Sequence, residues 1–245
     1  MRKLYVFSDR NIDDQFLKMV REYEGHIIED SHLQYLLLAG RPGQRAVTPL
    51  VLGGATDNTL IEEDGTMVAR NGATCYKDID IDLSAQSSGG SVPALIAVNG
   101  DPYIKARAFA GTGTTVEQLG GSKELIHEMI FGQNMIPHIH WAPVSAAAGN
   151  VKWQLRTMLV NRNGTYSGGV TTSVVAAAPG VAWHGVRSDF PAISTAGIAS
   201  GARIMFTLFR DPADAADTYT DLVIAPNFGV HVPVDMLGTR TIDEK

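Results

Sequence analysis

After residue 66 the chain alternates apolar and polar positions with a period of two, in short runs. Alternate residues of a strand share a face, so this pattern predicts half-buried β-strands. The runs fall at 66–69, 79–83, 94–98, 104–109, 151–160, 204–209, 222–224 and 230–234, separated by Gly, Asn, Pro and Ser. Those separators favour turns, and many short strands joined by polar turns predict an antiparallel assembly. Pro137-His138-Ile139-His140-Trp141 reads as a further strand, the first arm of a hairpin continuing through 149–155. Residues 122–130 read as a short helix. The expected fold is mainly β: an antiparallel β-sandwich or jelly-roll domain, with a small N-terminal helix and an extended arm.

The helix is expected after Asn11, a suitable N-cap followed by Asp13 and Asp14 in the first turn. Ile12, Phe16, Met19, Val20 and Tyr23 recur at helical spacing, and Gly25 supplies a stop. The stretch 40–65 is rich in Gly, Thr, Asn and Pro and builds little core alone. Tyr35, Leu36 and Leu37 just before it are candidate anchoring residues, with more apolar area to bury on a partner than on their own arm. The expected division is an N-terminal helix and anchoring arm over 1–65 and a β-sandwich or jelly-roll domain over 66–245.

Composition changes this picture only by exclusion. Of 245 residues 44% are hydrophobic and 19% charged, enough to bury a core. Net charge is −6 with no cluster of Lys and Arg, so no nucleic-acid partner is expected. Cys75 is the single cysteine, which precludes an intramolecular disulfide and any Cys-x-x-Cys site. The first residues turn polar too soon for a secretory signal, and no apolar run approaches the roughly 18 residues that span a bilayer, so no membrane partner is expected.

Candidate chemistry centres on His138 and His140, which share one strand face opposite Ile139 and Trp141. Two imidazoles on one face suit either a transition metal or a hydrogen-bonded polar cluster, at a subunit contact for example. Cupin-like metalloenzymes carry such a pair, with a carboxylate a few residues on and a third histidine on a distant strand. No acid follows His140 here, while His184 and His231 are available as the distant ligand. Asp211, Asp214 and Asp217 lack the alternation of a calcium loop and read as turn residues. Asn163-Gly164 reads as a turn, and Gly-x-Ser-x-Gly and phosphate-loop patterns are absent. Trp153 is expected on the inner face with Val151 and Leu155, opposite Lys152, Gln154 and Arg156. Of the three tryptophans, at 141, 153 and 183, two sit in strand patterns, which disfavours a carbohydrate-binding appendage.

Several blocks in order resemble a widespread group of tailed-bacteriophage virion proteins. They are Ile136-Pro137-His138-Ile139-His140-Trp141, Ala148-Gly149-Asn150-Val151-Lys152-Trp153, Phe209-Arg210-Asp211-Pro212-Ala213-Asp214-Ala215-Ala216-Asp217-Thr218-Tyr219, and 230–240. Residues 37–44 resemble a segment near the start of phage fibre and appendage proteins. The resemblance covers 130–245 well and 35–85 loosely. It implies a non-enzymatic structural component of the virion, attached as a head fibre, collar, neck, decoration or tail protein and assembled in the host bacterial cytoplasm. Its implied partners are its own copies, as a homotrimer, and capsid, portal, neck or tail proteins. It implies no catalytic residue, no cofactor and no metal. His138, His140, Trp141 and Trp153 then become a candidate subunit-contact or structural motif. A cupin-like metal-dependent enzyme using His138 and His140, and a carbohydrate-binding phage appendage, are the alternatives.

Overall fold

The computed structural model describes residues 50–61, 66–83 and 90–236. The expected N-terminal helix and the anchoring residues Tyr35, Leu36 and Leu37 lie outside the described residues. The described chain divides into a small unit ending at Thr74, to which Asp235 and Met236 also belong, and a larger unit, Cys75–Val234.

The small unit is a three-stranded antiparallel meander of β1 (Leu50–Gly53), β2 (Asn58–Ile61) and β3 (Met67–Arg70). The strand signal expected at 66–69 therefore forms here, with β2 as its partner. The buried Asn58 side chain donates to the Gly54 carbonyl at 3.1 Å and holds the β1–β2 turn. Met236 returns to bridge Val68.

The larger unit is an antiparallel β-sandwich, as the alternation predicts. One sheet runs β10 (Val170–Ala177), β9 (Asn150–Val160), β13 (Arg203–Arg210), β7 (Glu117–Glu124). The other runs β11 (Val186–Asp189), β8 (Asn134–Pro143), β14 (Val223–Val234), β6 (Asp101–Phe109), β5 (Ala94–Val98). In that sheet β4 (Cys75–Ile81) also pairs with β14, and β12 (Ile193–Ser194) with β8. The runs expected at 222–224 and 230–234 are one strand, β14. Its register shifts between Ile224 and Asn227, around Pro226, which has no N–H to give the ladder. Across that bulge β14 exchanges β6 for β4 as its neighbour on one side.

Two other expectations are corrected. β8 and β9 are not a hairpin, because they lie in opposite sheets and face each other across the core. The expected helix at 122–130 is instead the end of β7 followed by turns. β7 pairs with β13 along its whole length, from Glu117↔Arg210 to Glu124↔Arg203. A full ladder to a buried strand outweighs the weak helical preference of a short segment that follows Gly120 and Gly121.

The core fills the space between the sheets. Val151, Trp153 and Leu155 of β9 point into it, as do Ile204, Phe206 and Leu208 of β13. Ile139 and Trp141 of β8 and Phe228, Val230 and Val232 of β14 meet them from the other side. The Trp153 ring stands edge-on to Phe109 at 5.0 Å, and Phe206 stacks on Phe228 at 4.6 Å. Each such side chain contributes roughly 1.5–3 kcal/mol by leaving water.

Candidate functional site

The side chains that bear chemistry gather on the outer face of the larger sheet. Because Ile139 and Trp141 are core residues, alternation turns His138 and His140 outward, as expected. Registers complete the face. His138 lies opposite Gly229 of β14 and Asp189 of β11. His140 lies opposite Asn227 and Arg187. His231 of β14 lies between Ile136 of β8 and Asp78 of β4, and Asp80 lies opposite Gly229.

Gly229 shapes the cluster. A Cβ at that position would stand 2.5 Å from both Cε1 and Nε2 of His138. With no side chain there, the His138 ring lies over β14 toward β4. Its Nε2 sits 3.6 Å from the Asp78 carboxylate, and the His231 Nε2 sits 3.4 Å from the same oxygen. The two rings are 4.4 Å apart, and the ligand atoms of Asp78, His138 and His231 all lie within 4.8 Å of one another. His140 stands edge-on to His138, ring centres 5.1 Å apart, but is not part of that trio. His184 is exposed and stays outside it.

Two features mark His138. It is fully buried within its own chain, and neither ring nitrogen has a hydrogen-bond partner. A buried polar atom left in that state costs about 1–3 kcal/mol. Burial holds its pKa below the ordinary histidine value; Asp78 pulls the other way, and His231, Arg187 and His140 reinforce the lowering. His231 is better served, since Arg187 donates to its Nδ1 at 3.2 Å. A guanidinium only donates, so Nδ1 carries the lone pair and, in the neutral ring, Nε2 presents its proton to Asp78.

The low pKa of His138 sets a sign for acid. Both folded and unfolded chains hold it neutral above about pH 6.5. Below that value the unfolded chain takes up a proton that the folded chain resists, so stability falls from pH 6.5 toward the lower folded-state pKa. Thermal melts from pH 8 to pH 5 in chelator should show this loss, and His138→Gln should flatten it. Equal slopes in the two proteins would remove His138 from the acid response.

A second constellation was not foreseen as a unit. Arg210, at the end of β13, is fully buried and grips Asp217 through Nε and Nη2 at 2.8 and 2.7 Å. Its Nη1 donates to the carbonyls of Phe109 and Asp221 at 3.2 and 3.0 Å, and Nη2 donates also to the Tyr219 carbonyl. All five guanidinium N–H groups are thus used. Asp211 and Asp214 close the turns expected of them, accepting from the N–H groups of Ala213 and Ala216 at 3.0 Å. Asp214 pairs with Lys152, which holds its carboxyl below the usual carboxylate range. Gly149, at φ 149°, passes so close to this loop that a Cβ would stand 2.7 Å from the Thr218 carbonyl oxygen.

Trp141 and Trp153 are core residues, 6.3 Å apart across the sandwich. Trp141 donates to the Ser188 hydroxyl at 2.9 Å. Elsewhere, a cleft of about 300 Å³ opens among Glu124, His127, Asn161, Arg162, Tyr166 and Arg203, with His127 3.2 Å from Glu124. Among the described residues no helix is long and apolar enough to cross a membrane.

No family model and no curated protein matches the sequence. Solved structures that match include a chain from the structure of infectious bursal disease virus Gx strain, at 12% identity and TM-score 0.34. The match covers 76% of this chain and 36% of that one, so this chain spans about a third of its length. The C-terminal family 22 carbohydrate-binding module of Clostridium thermocellum Xyn10B matches at 13% identity and TM-score 0.24, covering 66% of this chain and 94% of that one. A carbohydrate-binding module of the β-sandwich superfamily matches at 7% identity and TM-score 0.26, covering 74% and 72%. Likeness at this level carries no argument about function.

Proposed function

We propose that this chain is a non-enzymatic structural protein of a tailed-phage virion, its sandwich displayed on the particle and its N-terminal arm laid on neighbouring virion proteins. One observation carries the reading. The blocks that resemble such proteins interlock as a frame. The Lys152 N–H donates to Asp217 at 3.1 Å, and the Thr218 N–H donates to the Asn150 carbonyl at 2.8 Å. Trp141 faces Trp153, and β14 runs beside β8. A sandwich braced in this way by its own loop suits a building block that must hold its shape under load. Homotrimeric assembly is part of the proposal and rests on the resemblance.

Density-banded particles from cells supplying an epitope-tagged copy should contain the chain at fixed stoichiometry, and the purified protein should sediment at three times the chain mass. A tagged chain that stays wholly in the soluble fraction overturns the virion assignment. A monomer at micromolar concentration removes the trimer. Deleting residues 1–65 should leave a cooperative thermal transition and abolish incorporation; full occupancy by the truncated chain would refute the anchoring role.

A further inference from the structure

We infer that Asp78, His138 and His231 form a binding site for one divalent transition-metal ion such as zinc, on the outer face of the larger sheet. The inference is independent of the virion reading. Three strands supply one ligand each, and the donor set of two imidazoles and one carboxylate suits zinc, iron(II) and nickel.

The geometry is close to what such an ion needs. Ligands bonded at ~2.1 Å stand roughly 2.9–3.4 Å apart around an octahedral or tetrahedral ion. Both imidazole Nε2 atoms already stand 3.4–3.6 Å from one Asp78 oxygen. The widest separation in the trio is under 4.8 Å, so closing it takes a shift of about an ångström. That gap lies between the two imidazoles, since both already stand near Asp78; His231 is partly exposed and can supply the shift, whereas His138 is fully buried.

The orphaned nitrogens of His138 are the second observation. A fully buried imidazole with no partner at either nitrogen lies beside a carboxylate and a second imidazole. A cation accepted by Nε2 gives that lone pair a partner. Gly229 keeps the space open, since any side chain there would enter the His138 ring and approach the Asp78 carboxylate at 3.1 Å. The surrounding charge is favourable. Asp80 and Asp189 flank Gly229 and His138 in one cross-strand row, and Arg187 is the cation facing them. Asn227 donates to Asp80 at 3.1 Å.

Arg187 sets the one condition for entry. While it donates to His231 Nδ1, the His231 Nε2 keeps its proton. Binding therefore moves that proton to Nδ1 and turns the guanidinium away. Arg187 is less than half exposed and retains its 2.8 Å bond from Nε to Asp189, and the contact it gives up to His231 is itself an exposed one. Positions on the ion beyond the three protein ligands face outward past the exposed Asp78 carboxylate and take water.

The test is metal titration of the full-length protein stripped with chelator. Zinc should bind at one equivalent per chain, raise the melting temperature, and displace cobalt(II) bound with a visible absorption band. Asp78→Asn and His231→Ala should each weaken binding roughly tenfold or more. Both positions are partly exposed, so these variants should fold, as melts in chelator will verify; if one does not, the other decides. His127→Ala removes a histidine beside the polar cleft and should leave binding unchanged. No saturable zinc binding at millimolar metal overturns the site. So does binding that survives Asp78→Asn and His231→Ala, or that disappears with His127→Ala.

Discussion

Replacing Arg210 with alanine is expected to destabilise the sandwich by about 3–5 kcal/mol, because it leaves a buried carboxylate without its partner. Asp217 has no water to turn to, since both side chains of the pair are fully buried. The carbonyls of Phe109, Tyr219 and Asp221 lose their donor in the same step. Arg210→Lys should recover only part of the loss, because one ammonium cannot reproduce a two-point grip on Asp217 and three carbonyl bonds. Removing the charge at both ends, as Arg210→Met with Asp217→Leu, should cost less than Arg210→Ala alone. Denaturant unfolding at pH 7 measures all three. A loss below about 1 kcal/mol for Arg210→Ala would mean that the 211–221 loop opens and hydrates Asp217.

Trp153→Ala is expected to cost roughly 3–5 kcal/mol, the range for truncating a large aromatic in a packed core. The ring contacts the opposite sheet through Phe109 and Trp141, so its removal opens a void between the layers. The neighbouring Lys152 points away from the core to Asp214, and both side chains are partly exposed. Lys152→Ala, which removes one partner of a partly exposed ion pair, should cost about 1 kcal/mol, well below the loss at Trp153. The buried indole N–H of Trp153 has no partner, so Trp153→Phe should be far milder than alanine. Equal losses at 152 and 153 would show that the two faces of β9 are exchanged.

These predictions show how far alternation reaches. The inward set Val151, Trp153 and Leu155 and the outward pair His138 and His140 were legible from a period of two. So was the position of His231, between the inward Val230 and Val232. The turn role of Asp211 and Asp214 was legible too, because an aspartate that bonds its own backbone needs only its immediate neighbours. The helix expected at 122–130 fails for the complementary reason. Local preference there is worth tenths of a kcal/mol per residue, while the β7–β13 ladder extends over eight residue pairs.

Asp78 and Gly229 were missed as parts of a site, although a faint signal existed. Asp78-Ile79-Asp80-Ile81-Asp82 places a carboxylate at every second position of a strand. A strand presenting acids along one face invites a question about what lies opposite. The glycine offered none, since its role is only the absence of a Cβ beneath a ring ninety-one residues earlier in the chain.

The division follows from the range of the forces involved. Which side of a strand is wet, where a turn falls and which composition can bury a core depend on neighbours two to four residues away. All of that is written along the chain. Which strand lies beside which depends on pairing across the whole domain, where many registers satisfy the same alternation. Only packing resolves that choice: β8 and β9 lie across the core instead of side by side, β14 trades β6 for β4 at Pro226, and Arg210 closes on Asp217. The same packing sets Asp78, His138 and His231 around one point, because side chains from three strands converge only when the sheet that orders those strands has formed.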